Sequence, residues 1–361
     1  MGLRCGIVGV AACGKTTLFN CMSGQKAQTS VSSFGKGGAN VGMVQVPDER
    51  LDMLAKFYTP QKIVHTAVDI VDIPGITKGS ADGNRFLADV RNTDALIHVL
   101  RCFEDPSVPH ADGSVDPMRD MDTVELEMKV KDLELVEKKI EKLEKVAKSG
   151  DKNAIKGIEV LEKLKRHFED FLPARNIEIR DTDKRFLEDM DFLSAKPVIY
   201  VCNVDESSVT GENTHVRKVR ERFKEEENQI LVIAAKTEAE IAKVNSLEER
   251  REFLEMMGLS EPGVNKMIRA AYNLLKLQTF FTVANKEVRA WTIREGMTAR
   301  EAAGIIHSDM ERGFIRTEVI RYEDLVTLGS EAECRKKGKV SVEGKNYVVE
   351  DGDILYIRFN V

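Results

Sequence analysis

Residues 9–17 constrain the fold more strongly than any other segment of the chain. They fit the pattern G-x-x-x-x-G-K-[ST], between an apolar run at 5–8 that predicts a buried strand and a run at 17–22 that predicts a helix. Glycines at both ends let the backbone curl around an anion with its N–H groups pointing inward. In this context the pattern predicts a phosphate-binding loop, and therefore a chain that binds a nucleoside phosphate.

The loop supplies most of the candidate ligand contacts. Lys15 provides a cation for the β- and γ-phosphates, and the Thr16 hydroxyl is a candidate Mg²⁺ ligand. We therefore assign Lys15 a catalytic role as well as a binding role. The nucleotide-binding residues predicted in the loop are Ala12, Cys13, Gly14, Lys15, Thr16 and Thr17.

A second motif follows another predicted strand. The β-branched run at 66–71 leads into Asp72-Ile73-Pro74-Gly75. In nucleotide switch proteins, the Asp at such a strand end holds the Mg²⁺ shell and the Gly N–H meets the γ-phosphate. The tetrapeptide alone is also an ordinary turn, but its position after Lys15 and after a strand favours the functional interpretation. We predict Thr16 and Asp72 as metal ligands and Gly75 as a nucleotide contact.

Further apolar strands at 95–101, 197–202 and 229–233 have the β-α-β rhythm of a parallel sheet. Within this rhythm, a Glu- and Lys-rich segment carries two apolar stripes at helical spacing, separated by a turn at 149–151. The stripes are Leu133, Val136, Ile140, Leu143 and Ala147, then Ile158, Leu161, Leu164, Phe168 and Phe171. They predict an antiparallel coiled-coil hairpin inserted over about 123–195, which is either a solvated spacer or a docking surface.

The predicted secondary structure changes near residue 279, where short strands surround a helix predicted at 298–310. The fold predicted is α/β: a P-loop NTPase domain with a parallel sheet and the helical insertion at 1–278, then a small α+β domain at 279–361. A net charge of −6 excludes bulk attraction to nucleic acid but leaves a local basic face open.

Composition also indicates the compartment. No apolar run approaches the roughly 18 residues needed to span a bilayer, and we expect no signal peptide ahead of the first strand. The six cysteines are scattered without a C-x-x-C pair, which suits a reducing environment. We therefore expect a cytoplasmic monomer that binds neither membranes nor DNA.

The base-binding loop is predicted at Asn203-Val204-Asp205-Glu206, where GTPases carry N-K-x-D. Val204 replaces the Lys that packs along guanine, and Glu206 is one methylene longer than the Asp that pairs with it. A carboxylate here can still accept from the exocyclic amine of adenine. We predict base contacts from Asn203 and Glu206, with Ala235 from the next loop, and a preference for ATP. A degraded guanine site or an unrelated turn is the alternative.

In the order of these motifs the chain resembles the YchF / Obg-like ATPase family over essentially its whole length. Other shared landmarks are Asn40-Val41-Gly42, Arg101-Cys102-Phe103-Glu104 and Glu350-Asp351-Gly352-Asp353-Ile354. The resemblance implies an ATP-preferring relative of translation-factor GTPases, with Mg²⁺ as cofactor and ATP and ADP as ligands. It also implies the ribosome, in particular its large subunit, as partner, and a C-terminal TGS domain.

The resemblance further implies how catalysis is arranged. The usual glutamine after Asp-x-x-Gly is hydrophobic, here Ile76, and a histidine in a mobile loop, here His110, is implied to orient water. Two positions depart from the family: Ala12 replaces an Asn linked to K⁺ activation, and Lys36 stands where a Mg²⁺-contacting Thr is expected. We expect binding to survive and hydrolysis to be slow. The alternatives are an Obg-type GTPase and a non-hydrolysing, nucleotide-gated scaffold.

Overall fold

The computed structural model describes residues 3–24, 39–76, 83–224, 230–244, 246–284 and 286–360. Lys36 and the rest of the segment at 32–38 lie outside these ranges. The strands are β1 Arg4–Val8, β2 Asn40–Gln45, β3 Lys62–Val64, β4 Ala67–Asp72, β5 Ala95–Arg101, β6 Val198–Asn203, β7 Ile230–Ile233, β8 Leu277–Ala284, β9 Glu287–Arg294, β10 Phe314–Arg321, β11 Val340–Glu343 and β12 Asp353–Phe359.

The helices follow the same chain order. They are α1 Lys15–Ser23, α2 Glu49–Tyr58, α3 Gly83–Arg91, α4 Pro117–Ala147, α5 Lys152–Glu169, α6 Asp181–Lys184, α7 Thr214–Arg222, α8 Ala235–Ile241, α9 Leu247–Met256, α10 Gly263–Leu274, α11 Ala299–Ile306, α12 Ser308–Arg312, α13 Tyr322–Leu328 and α14 Glu331–Lys336. None of those in the described ranges is both long and apolar enough to cross a membrane.

The first sheet has the strand order β2-β4-β1-β5-β6-β7. Its strands β4, β1, β5, β6 and β7 pair in parallel. Every residue of β5 and β6 is buried, as expected for central strands covered on both faces. The predicted parallel sheet is therefore confirmed. Because parallel strands end at one edge, the loops after β1, β4 and β6 meet there.

The inserted hairpin is formed by α4 and α5. Val136, Ile140, Leu161 and Leu164 are buried in one cluster between the two arms, as the apolar stripes predict. The first arm begins at Pro117, earlier than the predicted 123, because Asp116 caps it by accepting hydrogen bonds from the N–H groups of the first turn. Phe171 was wrongly predicted to join the second stripe: it follows the end of α5 with φ 58° and is 64 % exposed.

The chain divides into two compact units. The first comprises Met1–Gly42 and Asp69–Met267, and the second comprises Met43–Val68 and Ile268–Val361. The second unit thus contains a segment that no sequence pattern connected with the C-terminal strands. Leu51 and Leu54 of α2 are fully buried in its core. The predicted ranges 1–278 and 279–361 stay predictions of domain organisation.

The second unit is built on a mixed sheet of order β11-β10-β12-β8-β9-β3. Two apolar clusters cover it, one containing Phe281 and Ile320 and the other containing Phe280 and Val319. The single helix predicted at 298–310 is wrong, since His307 adopts an extended backbone (φ −163°, ψ 139°) and divides it into α11 and α12. The His307 side chain then accepts from the N–H of Asp309 and caps α12.

Candidate nucleotide-binding site

The loop between β1 and α1 is tightly curled. Gly14 has φ 103° and caps the start of α1, and a Cβ there would lie 2.2 Å from Asn203 Nδ2. Lys15 is buried, and its Nζ donates to the carbonyl oxygens of Gly9 at 3.1 Å and Val10 at 2.7 Å. The Lys15 ammonium group is therefore held inside the curl of the loop, and its role towards the β- and γ-phosphates stays a prediction.

Thr16 and Asp72, the two predicted metal ligands, meet at the edge of the sheet. The Thr16 hydroxyl donates to Asp72 Oδ2 at 2.8 Å, and Asn40 Nδ2 donates to the same oxygen at 3.3 Å. Asp72 is 4 % exposed, and its Oδ1 is buried with no hydrogen-bond partner among the described residues. Burial raises the pKa of Asp72, while Thr16, Lys15 and Asn40 oppose that rise. A hydroxyl beside an orphaned carboxylate oxygen fits a hard cation such as Mg²⁺.

The segment after β4 lies directly against the phosphate-binding loop. A Cβ on Gly75 would lie 2.7 Å from Lys15 Nζ and 2.8 Å from the backbone nitrogen of Ala11, so only glycine fits without displacement. The next residue, Ile76, forms a parallel bridge with Val10 and is 2 % exposed. Because its side chain is in the core, Ile76 cannot take the place of a water-orienting glutamine.

Asn203 joins three loops of the site. It ends β6 and is 4 % exposed. Its Nδ2 donates to the Cys13 carbonyl oxygen at 2.9 Å, and its Oδ1 accepts from the backbone N–H of Ala235 at 2.9 Å. The base-binding loop, the phosphate-binding loop and the start of α8 are thus fixed relative to one another.

The rest of the predicted base-binding loop is divided between core and solvent. Val204 is buried at 3 % exposure. Asp205 accepts from the Ser207 hydroxyl at 2.6 Å and the Ser208 N–H at 3.0 Å, and these hydrogen bonds lower its pKa. Glu206 is exposed at the start of a short 3-10 turn. Asp205 therefore builds the turn, which leaves the Glu206 carboxylate available to a ligand.

His110 lies in the loop between β5 and α4, but its side chain is only 3 % exposed. Its Nδ1 accepts the N–H of Asp112 at 3.1 Å, which assigns the ring proton to Nε2. Nε2 lies 2.9 Å from Asp120 Oδ2 in the first turn of α4. The loop expected to be mobile therefore has its histidine packed and paired in this structure, with both ring nitrogens engaged.

Two further side chains of this region, Arg101 and Asn40, were named from the sequence only as family landmarks and were given no role in the site. Arg101 is 1 % exposed at the end of β5, donates to the carbonyl oxygens of Val108 at 2.7 Å and Phe103 at 3.3 Å, and stacks on the Phe103 ring. It holds the loop that leads to His110. An arginine closing an otherwise apolar buried strand was the available signal. For Asn40 the landmark Asn40-Val41-Gly42 marked the position but not the contact with Asp72, which depends on how β2 lies beside β4.

The predicted residues fall into three groups. The structure brings together Cys13, Gly14, Lys15, Thr16, Asp72, Gly75, Asn203 and Ala235. Ala12 and Glu206 lie on the same loops, and Thr17 lies in the first turn of α1, without a described contact to this group. His110 belongs to its own pair with Asp120. The roles of all these residues in ligand binding and catalysis stay predictions.

Two family models match parts of the chain. Residues 4–140 match the family model MMR_HSR1, described as "50S ribosome-binding GTPase", and residues 277–360 match YchF-GTPase_C, described as "Protein of unknown function (DUF933)". The chain is 45 % identical to "Ribosome-binding ATPase YchF" of Bacillus subtilis and 42 % identical to that of Haemophilus influenzae, each over 100 % of both chains.

A solved structure extends the likeness to the whole fold. The "Structure of the Schizosaccharomyces pombe YchF GTPase" superposes with a TM-score of 0.86 at 32 % identity, covering 99 % of this chain and 98 % of the other. Full-length identity at this level, with both family models matched in order, identifies the family. The chain belongs to the YchF family of P-loop proteins.

Proposed function

We propose that this protein binds ATP with Mg²⁺, hydrolyses it slowly, and acts as a nucleotide-dependent switch on ribosomes. The observation that carries the proposal is the Asn203 bridge, which aligns the phosphate-binding loop with a turn that presents Glu206 to solvent. The full-length relatives are named "Ribosome-binding ATPase YchF", which supports both the nucleotide and the partner.

Each residue of the site has a role that follows from its position. Lys15 neutralises the β- and γ-phosphates, for which it gives up its contacts with the Gly9 and Val10 carbonyl oxygens. The N–H of Gly75 contacts the γ-phosphate, because this backbone approaches Lys15 closely. Thr16 and Asp72 would hold Mg²⁺, which would supply charge neutralisation for the phosphate oxygens.

Preference for adenine rests on the base-binding loop. Guanine presents a ring N–H and an exocyclic amine to a short carboxylate, whereas adenine presents its exocyclic amine alone. Glu206 is one methylene longer than Asp and lies on an exposed turn. Its carboxylate therefore suits the single exocyclic amine of adenine better than the paired ring N–H and amine of guanine. Buried Val204 leaves no lysine to cover the base.

Slow turnover follows from what the site lacks. Phosphoryl transfer depends on positioning and charge stabilisation, and Ile76 has its side chain in the core. The methyl side chain of Ala12 offers no oxygen to hold a monovalent cation. His110 is the remaining candidate to orient water, and to do so it must leave Asp120, its partner in this structure. We expect intrinsic hydrolysis on the order of 10⁻³ s⁻¹ or below, with little acceleration by K⁺.

Single-turnover hydrolysis of ATP tests the catalytic assignment. His110→Ala should lower the rate about tenfold or more, because the site then loses its remaining group that can orient water. His65→Ala is the matched control, since this histidine lies outside the site. Turnover near 1 s⁻¹ in the wild type, or indifference to the loss of His110, would contradict the proposal.

The switch is tested separately by co-sedimentation with ribosomes. Binding should differ between the ATP-bound, ADP-bound and nucleotide-free protein. Lys15→Ala, which removes nucleotide binding, should abolish that difference. Equal co-sedimentation of the wild type in all three states would remove the nucleotide-gating claim while leaving ATP binding intact.

A further inference from the structure

The helical hairpin carries its charge unevenly. Residues 117–137 contain seven carboxylates and three cations, whereas residues 138–156 contain seven lysines and three carboxylates. We call residues 138–156 the hairpin tip. Its sign is opposite to that of the whole chain, whose net charge is −6. Alternating charges at i,i+3 and i,i+4 would stabilise both helices better than this segregation does.

The lysines of the tip form one exposed surface. Lys138, Lys142 and Lys145 lie at i, i+4 and i+7, on the face of α4 opposite the buried Val136 and Ile140. The turn and the second helix extend this surface. The exposed lysines of the tip are Lys138, Lys142, Lys145, Lys148, Lys152 and Lys156.

Most of this surface is not neutralised. Lys138 lies 3.9 Å from Glu134, and Lys156 lies 2.8 Å from Glu159. The other four exposed lysines of the tip make no ion pair with any described residue. Lys152 also begins α5, where a cation opposes the helix dipole, so helix stability does not explain its presence.

We propose that the hairpin tip binds the phosphate backbone of RNA, an inference that rests on the proposed binding to ribosomes. Flexible ammonium groups make point contacts with phosphates, and each neutralised phosphate releases counterions. The tip contains no Phe, Tyr or Trp on which a base stacks. It therefore recognises backbone charge and shape, without reading sequence.

The test uses full-length protein and a fluorescently labelled RNA duplex, with affinity measured by anisotropy across a salt series. The variant is Lys142→Gln, Lys145→Gln, Lys148→Gln and Lys152→Gln combined. Glutamine keeps helix propensity and removes the charge. We expect affinity to fall about tenfold or more, and the slope of log K against log salt to lose roughly three to four units. Far-ultraviolet circular dichroism and ATP turnover should match the wild type.

The matched control removes the same number of exposed lysines elsewhere. It combines Lys163→Gln, Lys218→Gln, Lys243→Gln and Lys337→Gln. This control should bind the duplex as the wild type does. Equal loss in both variants would mean that the effect is bulk charge, which overturns the assignment to the tip.

Ribosome co-sedimentation distinguishes the two proposals. If the tip variant keeps its RNA affinity, the inference is overturned. If that variant nevertheless loses ribosome binding, the partner of the tip is a ribosomal protein. If the wild type binds the duplex through the tip but never co-sediments with ribosomes, the proposed function fails and phosphate binding by the tip stands.

Discussion

Removing the Asn203 side chain should damage stability and nucleotide binding together. Asn203→Ala leaves the Cys13 carbonyl oxygen and the Ala235 N–H without their 2.9 Å partners in a buried setting. Each unpaired buried group costs about 1–3 kcal/mol, so the free energy of unfolding should fall by roughly 2–6 kcal/mol. Because the bridge aligns two loops of the site, ATP affinity should also fall, by about tenfold or more.

Urea unfolding followed by circular dichroism measures the first effect, and titration with ATP measures the second. Asn213→Ala is the matched control: its amide donates to the Cys102 carbonyl oxygen at 2.7 Å and its oxygen caps α7 at 2.9 Å. The control loses one carbonyl partner and one helix cap, so its stability should fall by about 1.5–5 kcal/mol while its ATP affinity is kept. If Asn203→Ala unfolds within about 0.5 kcal/mol of the wild type, or binds ATP equally well, the bridging argument is refuted.

Three further changes test separate parts of the structure. Lys15→Ala should abolish detectable ATP binding and keep the fold by circular dichroism; unchanged affinity would exclude the P-loop assignment. Ala12 has φ 59°, where a Cβ costs about 1–2 kcal/mol, so Ala12→Gly should raise the urea midpoint; a lower midpoint would show that the loop is not strained there. Burial lowers the pKa of His98 to about 4, below its ordinary value of about 6.5. As the pH falls, His98 therefore becomes protonated in the unfolded chain before it does so in the folded protein. The contribution of neutral His98 to the free energy of unfolding should be fully present above about pH 6.5 and should be lost, by about 3 kcal/mol, towards pH 4. His98→Leu should make the free energy of unfolding less dependent on pH in this range.

The sequence was sufficient where local patterns carry the structure. The phosphate-binding loop depends on glycines and a lysine at fixed spacing, and the apolar runs predicted the parallel strands. The meeting of Thr16 and Asp72 followed because parallel strands end at one edge of a sheet. These features need no knowledge of distant contacts.

The sequence was insufficient where the position of a side chain depends on packing that local patterns do not encode. His110 and Asp120 pair because the first turn of α4 passes beside the preceding loop, a geometry that residue spacing does not encode. Leu51 and Leu54 join the core of the second unit through contacts with residues far along the chain. Phe171 follows the helical apolar spacing, but the chain turns at φ 58° and leaves the ring exposed. Apolar spacing and residue separation therefore do not determine where these side chains lie.

Isothermal titration of the purified protein with ATP, GTP, ADP and GDP in the presence of Mg²⁺ tests the central claim most directly. The account predicts that ATP binds more tightly than GTP, by about tenfold or more, and that Val204→Lys with Glu206→Asp shifts the preference towards GTP. Tighter binding of GTP by the wild type would contradict the reading of Glu206. Failure to bind any of the four nucleotides would contradict the site as a whole.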